Sequence, residues 1–217
     1  NHTGYPSNSV TLVTNQIIKM LCFDAKESAN SNSDRRSYGN NRYIYSNLRQ
    51  WLNSAAAAGA WYTAQHSADA APTSGNVWSG YNAYDGLAGF LNAFTADERA
   101  ALLDTTITVG KSSTDGGGTE TCTDKIFPLS CTEVGLSGDH TCGSKLAIFS
   151  DNSSRIATVT AECVANSNYN SNPAANAAWY YWLRDAYAGS AYYARYVWND
   201  GTLNGYIAYL GLNGLRP

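Results

Sequence analysis

The sequence predicts an α+β domain with two short helices, many short strands and long loops. Three observations carry this reading. Two segments, and no more, bear capped-helix signatures. Short runs rich in β-branched and aromatic residues recur along the chain. Polar, glycine-containing stretches separate these runs. At 217 residues the chain fits one domain with a sizeable core.

The elements follow in chain order. Val10–Val13 and the apolar residues from Ile17 to Phe23 read as two strands, or as a strand and a short turn. Residues 28–42 (SANSNSDRRSYGNNR) read as a polar loop. Ser46 then caps a helix ending near Asn53, with Leu48, Trp51 and Leu52 on one face. Residues 54–86 read as a long surface excursion anchored by Trp61, Trp78, Tyr81 and Tyr84. Thr95 and Glu98 form a T-x-x-E capping box before Ala101, Leu102 and Leu103, which marks the second helix. Thr105–Val109 (TTITV) is a β-branched strand, and residues 111–119 (KSSTDGGGT) a flexible loop. KIFPLS (125–130) and KLAIF (145–149) read as short apolar strands. The tail reads as strands and turns, with Asn199-Asp200-Gly201 as a hairpin signal. Trp179, Trp182, Leu183 and Val197 are its core candidates.

Charge and composition exclude some function classes. There are 14 basic and 17 acidic residues, for a formal charge of −3. That balance disfavours nucleic acid as a partner, because phosphate binding needs clustered Lys and Arg. No apolar run approaches the roughly 20 residues of a membrane helix, so membrane insertion is not expected. The chain opens NHTGYPSNSV, without a signal-peptide pattern or an initiator Met, and reads as a piece of a longer polypeptide. Five cysteines (22, 122, 131, 142 and 163) give no even disulfide framework. Either Cys122 and Cys142 pair across a loop, or all five are small buried thiols. Asn1-His2-Thr3 and Asn152-Ser153-Ser154 are glycosylation sequons.

Catalytic patterns are sparse. His2, His66 and His140 sit in polar loops, and no G-x-S-x-G elbow is present. Lys111 in VGKSS approaches a phosphate loop, but Thr105 stands where that pattern needs a glycine. Asp124, Glu133, Asp185 and Asp200 read as salt-bridging or solvated acids rather than a glycosidase pair. No catalytic residue, metal ligand or cofactor is assigned. Trp198-Asn199-Asp200 matches the tripeptide of calcium-dependent animal lectins, so a calcium-dependent sugar site stands as an alternative; a turn explains it more cheaply.

The tail from Trp179 to Pro217 carries the strongest functional signal. It holds eight of the sixteen tyrosines, mixed with Asn, Ser, Gly and Ala, and contains no Lys or Glu. Tyr offers large rigid area at low entropic cost, and Ser, Gly and Asn add short hydrogen-bonding groups. Tyr187, Tyr192, Tyr193, Tyr196, Tyr206 and Tyr209 are too many to bury with every hydroxyl satisfied. An exposed aromatic cluster marks an interaction site. Arg195 adds either a stacking or ionic contact to a ligand or a scaffold salt bridge.

The ordered strings NRYIYSNLRQWLNS, GFLNAFTADERAAL, DKIFPLSCTEVGL, YWLRDA, V-x-x-DGTL and NGLRP resemble the DUF6273 family, found in gut bacteria and their phages. The resemblance spans nearly the whole chain and implies a C-type-lectin-like fold, as in formylglycine-generating-enzyme relatives. The cysteine- or copper-dependent activity of those relatives is not implied, because no cysteine follows Cys163. The chain is also similar to variable proteins of diversity-generating retroelements, which diversify a C-terminal segment of such a domain by adenine-directed mutagenesis. That resemblance implies a variable segment over 185–213. Within it Tyr187, Ser190, Tyr192, Tyr193, Arg195, Tyr196, Trp198, Asn199, Asn204, Tyr206, Tyr209 and Asn213 are the expected ligand-binding residues. Ile207, Leu210 and Leu212 also look diversified, whereas Trp182, Leu183, Arg184, Gly201, Gly214, Arg216 and Pro217 look like scaffold. The expected role is noncovalent recognition of a host-cell surface protein or glycan. The display site would be a phage tail or a bacterial surface, with trimer formation or fibre decoration as the structural alternative.

Overall fold

A computed structural model describes residues 2–217. Asn1, and with it the first sequon, lies outside the described residues. The architecture is α+β, with short helices and three sheets among the described residues. The main sheet takes β1 (Lys19–Met20), β6 (Tyr181–Ala186), β7 (Tyr193–Val197), β8 (Leu203–Ile207) and β9 (Gly214–Leu215), in the order β1-β9-β6-β7-β8. β6, β7 and β8 form an antiparallel meander, and β9 runs parallel to β6. β2 (Thr105–Gly110) and β3 (Thr119–Asp124) make a separate hairpin. β4 (Ala157–Thr158) and β5 (Ala178–Trp179) make a small third ladder.

β6 is buried along its whole length, because the sheet is covered on both faces. Side chains alternate across a strand. Trp182 therefore joins one apolar cluster, with Phe23, Tyr43, Leu48, Trp51, Trp61, Tyr84 and Tyr196. Tyr181 and Leu183 join the other, with Ile17, Leu129, Val134, Phe149, Val159 and Val197. Trp182 Nε1 donates to Leu21 O (2.9 Å) and Tyr181 Oη to Arg155 O (3.0 Å), so each buried aromatic has its polar end satisfied.

Towards its end, where the register with β7 shifts, β6 carries Arg184 and Asp185. Arg184 is fully buried, and its guanidinium forks onto Glu133 at 2.5 and 2.7 Å. It donates further to Pro128 O and Thr108 O, both at 3.0 Å. Glu133 also accepts from Ser130 N (3.0 Å) and Tyr5 Oη (2.8 Å). Asp185 accepts from Cys131 N (2.6 Å) and Gly110 N (3.3 Å). One strand thus ties down both the β2–β3 hairpin and the irregular segment after it.

Both expected helices form. α2 (Asn47–Leu52) has Ser46 Oγ accepting from Arg49 N at 3.2 Å. α3 (Ala96–Ala101) has the reciprocal Thr95–Glu98 capping box. Three more short helices are present: α1 (Ser33–Tyr38), α4 (Asn152–Arg155) and α5 (Ala161–Ala165). They have polar or very short sequences, so apolar periodicity does not reveal them. Asn32, Asp151 and Thr160 cap them through side-chain oxygens.

Several expected strands do not form. Val10 and Leu12 are each 82 % exposed, with no ladder partner for their segment. KIFPLS and KLAIF are irregular segments; Leu129, Leu146 and Phe149 join the second apolar cluster, whereas Ile148 is exposed. β3 (TETCTD) was not signalled, because its charges hide it: Glu120 pairs with Arg42 and Asp124 with Arg49. Within 54–86, Trp61 and Tyr84 are core residues, stacked at 5.4 Å. Trp78 and Tyr81 stay half-buried, as does Trp179 among the core candidates.

All five cysteines are free thiols, and four of them are buried. Cys122 and Cys142 do not pair. Burial pushes the thiol of Cys163 up to about 11 and that of Cys122 up to about 12. The reactive thiolate is therefore scarce at neutral pH.

Two measurements follow. Glu133→Ala strands the Arg184 charge in the core and lowers unfolding free energy by about 3–5 kcal/mol in urea titration; a loss under about 1 kcal/mol would mean that the pair does not hold the segment. The native chain at pH 8 reacts slowly with an aromatic disulfide reagent, and the denatured chain releases five equivalents of thiol. Fewer than five would reveal a disulfide.

Candidate functional site

The loop between β6 and β7 and the β7–β8 hairpin carry most of the residues expected to bind a ligand. Local bonds fix both. In the hairpin turn Asp200 Oδ1 accepts from Thr202 N (2.9 Å) and Thr202 Oγ1 (2.6 Å). Gly201 has φ of +84°, and a Cβ there would meet Asn152 O at 2.0 Å, so the turn requires glycine. In the β6–β7 loop Ser190 Oγ accepts from Tyr192 N (3.2 Å) and Tyr193 N (3.1 Å). Asn41 Nδ2 donates to Ser190 O (2.7 Å) and Tyr193 O (2.9 Å). Ser113 N donates to Ala188 O (2.8 Å), and Arg35 Nε to Ala191 O (3.1 Å). The loop is thus held from three sides.

A shallow pocket of ≈ 600 Å³ opens over this loop. Tyr187, Gly189, Ser190, Ala191, Tyr192 and Tyr193 line it from the loop, and Asn204 and Gly205 from β8. Asn32, Asp34 and Thr114 complete the rim. The rings touch in series: Tyr187 and Tyr193 at 6.3 Å, Tyr193 and Tyr192 at 4.7 Å, Tyr192 and Tyr38 at 5.0 Å. Partial burial, and next the neighbouring Tyr193, push the Tyr192 hydroxyl above its usual range. It therefore meets a ligand as a neutral phenol. The lining contains one carboxylate, Asp34, and no histidine, cysteine or basic side chain. Such an array can stack on a flat group and hydrogen-bond to hydroxyls or amides.

The structure divides the expected site residues. Tyr187, Ser190, Tyr192, Tyr193 and Asn204 come together in the pocket. Trp198 (37 % exposed) and Tyr206 (40 % exposed) form a second aromatic group with Tyr196 and Tyr180, outside the pocket lining. Asn199 is exposed in the hairpin turn. Tyr209 is half-buried, its ring 6.0 Å from that of Tyr38.

Two expectations are corrected, and Arg195 takes the scaffold role of the two left open for it. Tyr196 is 1 % exposed, because alternation along β7 turns it inward beside Ala194 and against Trp182. Asn213 is fully buried beside β9, where its carbonyl accepts from Leu21 N at 3.1 Å. Arg195 is already engaged: its guanidinium pairs with Asp139 at 2.5 Å and lies 4.1 Å over the Tyr187 ring. It fixes that ring rather than awaiting a ligand. Leu210 and Leu212 are also buried, which limits the variable-looking positions to the outward ones. The expected scaffold residues Trp182, Leu183, Arg184, Gly201, Gly214 and Arg216 are all buried.

Sequence reasoning missed Asn32, Asp34, Thr114 and Tyr38. The first two had a signal: Asn-x-Asp before a short polar run is a helix start, with Asp in the first turn. Thr114 lies in the β2–β3 connection, which glycine content marked as plain loop.

Fold and surface together define a small α+β domain with a fixed aromatic pocket at one end of its main sheet. Residues 8–217 match the family model described as Domain of unknown function (DUF6273), and the chain belongs to that family. No curated protein and no solved structure matches it.

Burial separates the tyrosines by role. Tyr196→Ala opens a core cavity and costs about 3–5 kcal/mol in denaturant unfolding, whereas Tyr206→Ala costs less than about 1 kcal/mol. Equal losses would show that the exposed ring is part of the core.

Proposed function

We propose that this domain is a noncovalent receptor-binding module whose ligand sits in the tyrosine-lined pocket. One observation carries the reading: the tail that composition singles out for recognition supplies eight of the eleven residues lining the pocket. The pinned loop supports it further. A surface ordered before the ligand arrives loses less entropy on binding. Tyr187, Tyr192 and Tyr193 act as rigid anchors, and Ser190, Asn32 and Asn204 as short polar partners. The single lining carboxylate lacks a second acid or base beside it, which favours binding over catalysis.

The proposed setting is a phage tail or bacterial surface, and the proposed partner a host-cell surface protein. A C-type-lectin-like fold agrees with the meander, the long loops and the pairing of β1 with β9. Diversification of the tail is part of the proposal for its outward positions, Tyr187, Ser190, Tyr192, Tyr193, Asn199, Asn204 and Tyr206. A near-copy of the coding segment with adenines at these codons, beside a reverse transcriptase gene, would support it; a neighbourhood with neither would remove it.

A glycan is the second reading. Asp34 with Asn32 and Asn204 offers the carboxylate and amide groups that hold sugar hydroxyls beside a stacking ring. Calcium at Trp198-Asn199-Asp200 has little support, because Asp200 is committed to Thr202.

The test is a protein and glycan array probed with the intact chain and with a Tyr187→Ala/Tyr192→Ala/Tyr193→Ala variant. The expected result is loss of every hit, at least about a hundredfold in affinity given ordinary hot-spot energies, with melting within a few degrees of the parent. Unchanged binding by a folded variant would overturn the assignment.

A further inference from the structure

A second cluster of chemically capable groups lies away from the pocket lining. Glu27, His66 and Asp69 come from two loops, and their ligand-type atoms all lie within 4.8 Å of one another. Glu27 is fully buried, and its carboxylate accepts from Asn40 Nδ2 (3.1 Å) and from Asn30 Nδ2. Asp69 accepts from Gln65 N (2.7 Å) through one oxygen and from Asn47 Nδ2 (3.4 Å) through the other. Both carboxylates are therefore oriented by neighbours. The His66 ring lies 5.2 Å from that of Tyr45.

A separate observation concerns the imidazole. His66 Nε2 is 2.8 Å from Glu27 Oε1, and the nitrogen is shut off from solvent, yet it makes no hydrogen bond. A buried ring nitrogen left unsatisfied among two carboxylates is a donor that a shared cation would engage.

The charge balance agrees. Asp24 lies behind the cluster, with its oxygens occupied by Asn40 N (3.0 Å) and Asn47 N (2.9 Å). Burial, then the charges of Glu27 and Asp69, hold its carboxyl well above the usual range. Among the described residues, His66 is the sole basic side chain within ion-pair distance of any of these three acids.

We propose that Glu27, His66 and Asp69 bind one divalent transition-metal ion of the zinc class. One imidazole with two carboxylates suits such an ion better than calcium or magnesium, which take oxygen ligands. Three protein ligands leave a position for water. The ion would join the loop after β1 to the loop at 65–69. Glu27 N also donates to Arg35 O (3.1 Å), and Tyr38 at the end of the same helix packs on Tyr192. Metal binding would thus stiffen one wall of the aromatic patch. This inference stands whether or not the pocket binds a receptor.

The test titrates cobalt(II), a spectroscopic substitute for zinc, into the chelator-treated full chain and into His66→Ala and Asp69→Asn variants. The expected result is one ion per chain, with weak visible bands of nitrogen and oxygen coordination and a raised melting temperature. Affinity falls at least about tenfold in each variant, the lower end of the cost of disturbing a metal's surroundings. Circular dichroism of the metal-free variants checks that they fold, and Asp69→Asn decides alone if His66→Ala does not. No uptake, uptake unchanged in a folded variant, or the intense near-ultraviolet band of thiolate ligation would each overturn the proposal.

Discussion

The fold depends on one buried ion pair. Arg184 stands on a strand whose both faces are covered, so its charge has no route to water. Burying such a charge alone is costly, and the cost is tolerable only where a partner and further acceptors surround it. Glu133 and two backbone carbonyls do this. The guanidinium thereby selects one conformation for residues 128–133, a stretch with no ladder or long helix to shape it. Hydrophobic contacts alone would allow that stretch several arrangements; a forked charge pair allows one.

The tyrosine-lined face inherits this order. Asp185, next on the strand, fixes the end of β2 and the amide of Cys131. The hairpin so placed presents Ser113 to the β6–β7 loop and Asp115 to Arg35. Arg35 in turn reaches Ala191. A chain of directional bonds thus runs from the core charge pair to the pocket wall. The tyrosines are amphipathic and could slide; these polar ties keep them in place.

What the sequence reveals follows from how each element is stabilised. Helices α2 and α3 announce themselves because their caps are local in sequence. Thr105–Gly110 and the β7–β8 hairpin show through β-branching and the Asn-Asp-Gly turn. α1 shows only its Asn32 cap in the sequence, and β3 shows nothing, because distant partners satisfy their charges: Arg35 with Asp115, Glu120 with Arg42 and Asp124 with Arg49. In the tail, composition picks out a tyrosine-rich segment but not which rings face outward. Tyr196 and Tyr206 look alike in sequence and share one face of the meander, but Tyr196 stands on the interior strand β7 and is buried, whereas Tyr206 stands on the edge strand β8 and stays at the surface. The pocket rim from Asn32, Asp34 and Thr114 comes from segments far away in the chain, which no local pattern links to the tail.

β8 is the outermost strand of the main sheet, and Asn204 and Tyr206 along it are exposed. Its attachment to β7 is a main-chain ladder, and its register is fixed by the glycine turn. Neither depends on what its outward residues are. Exchanges at these outward residues therefore leave the strand's pairing intact, with folding competence carried by neighbours that need not change.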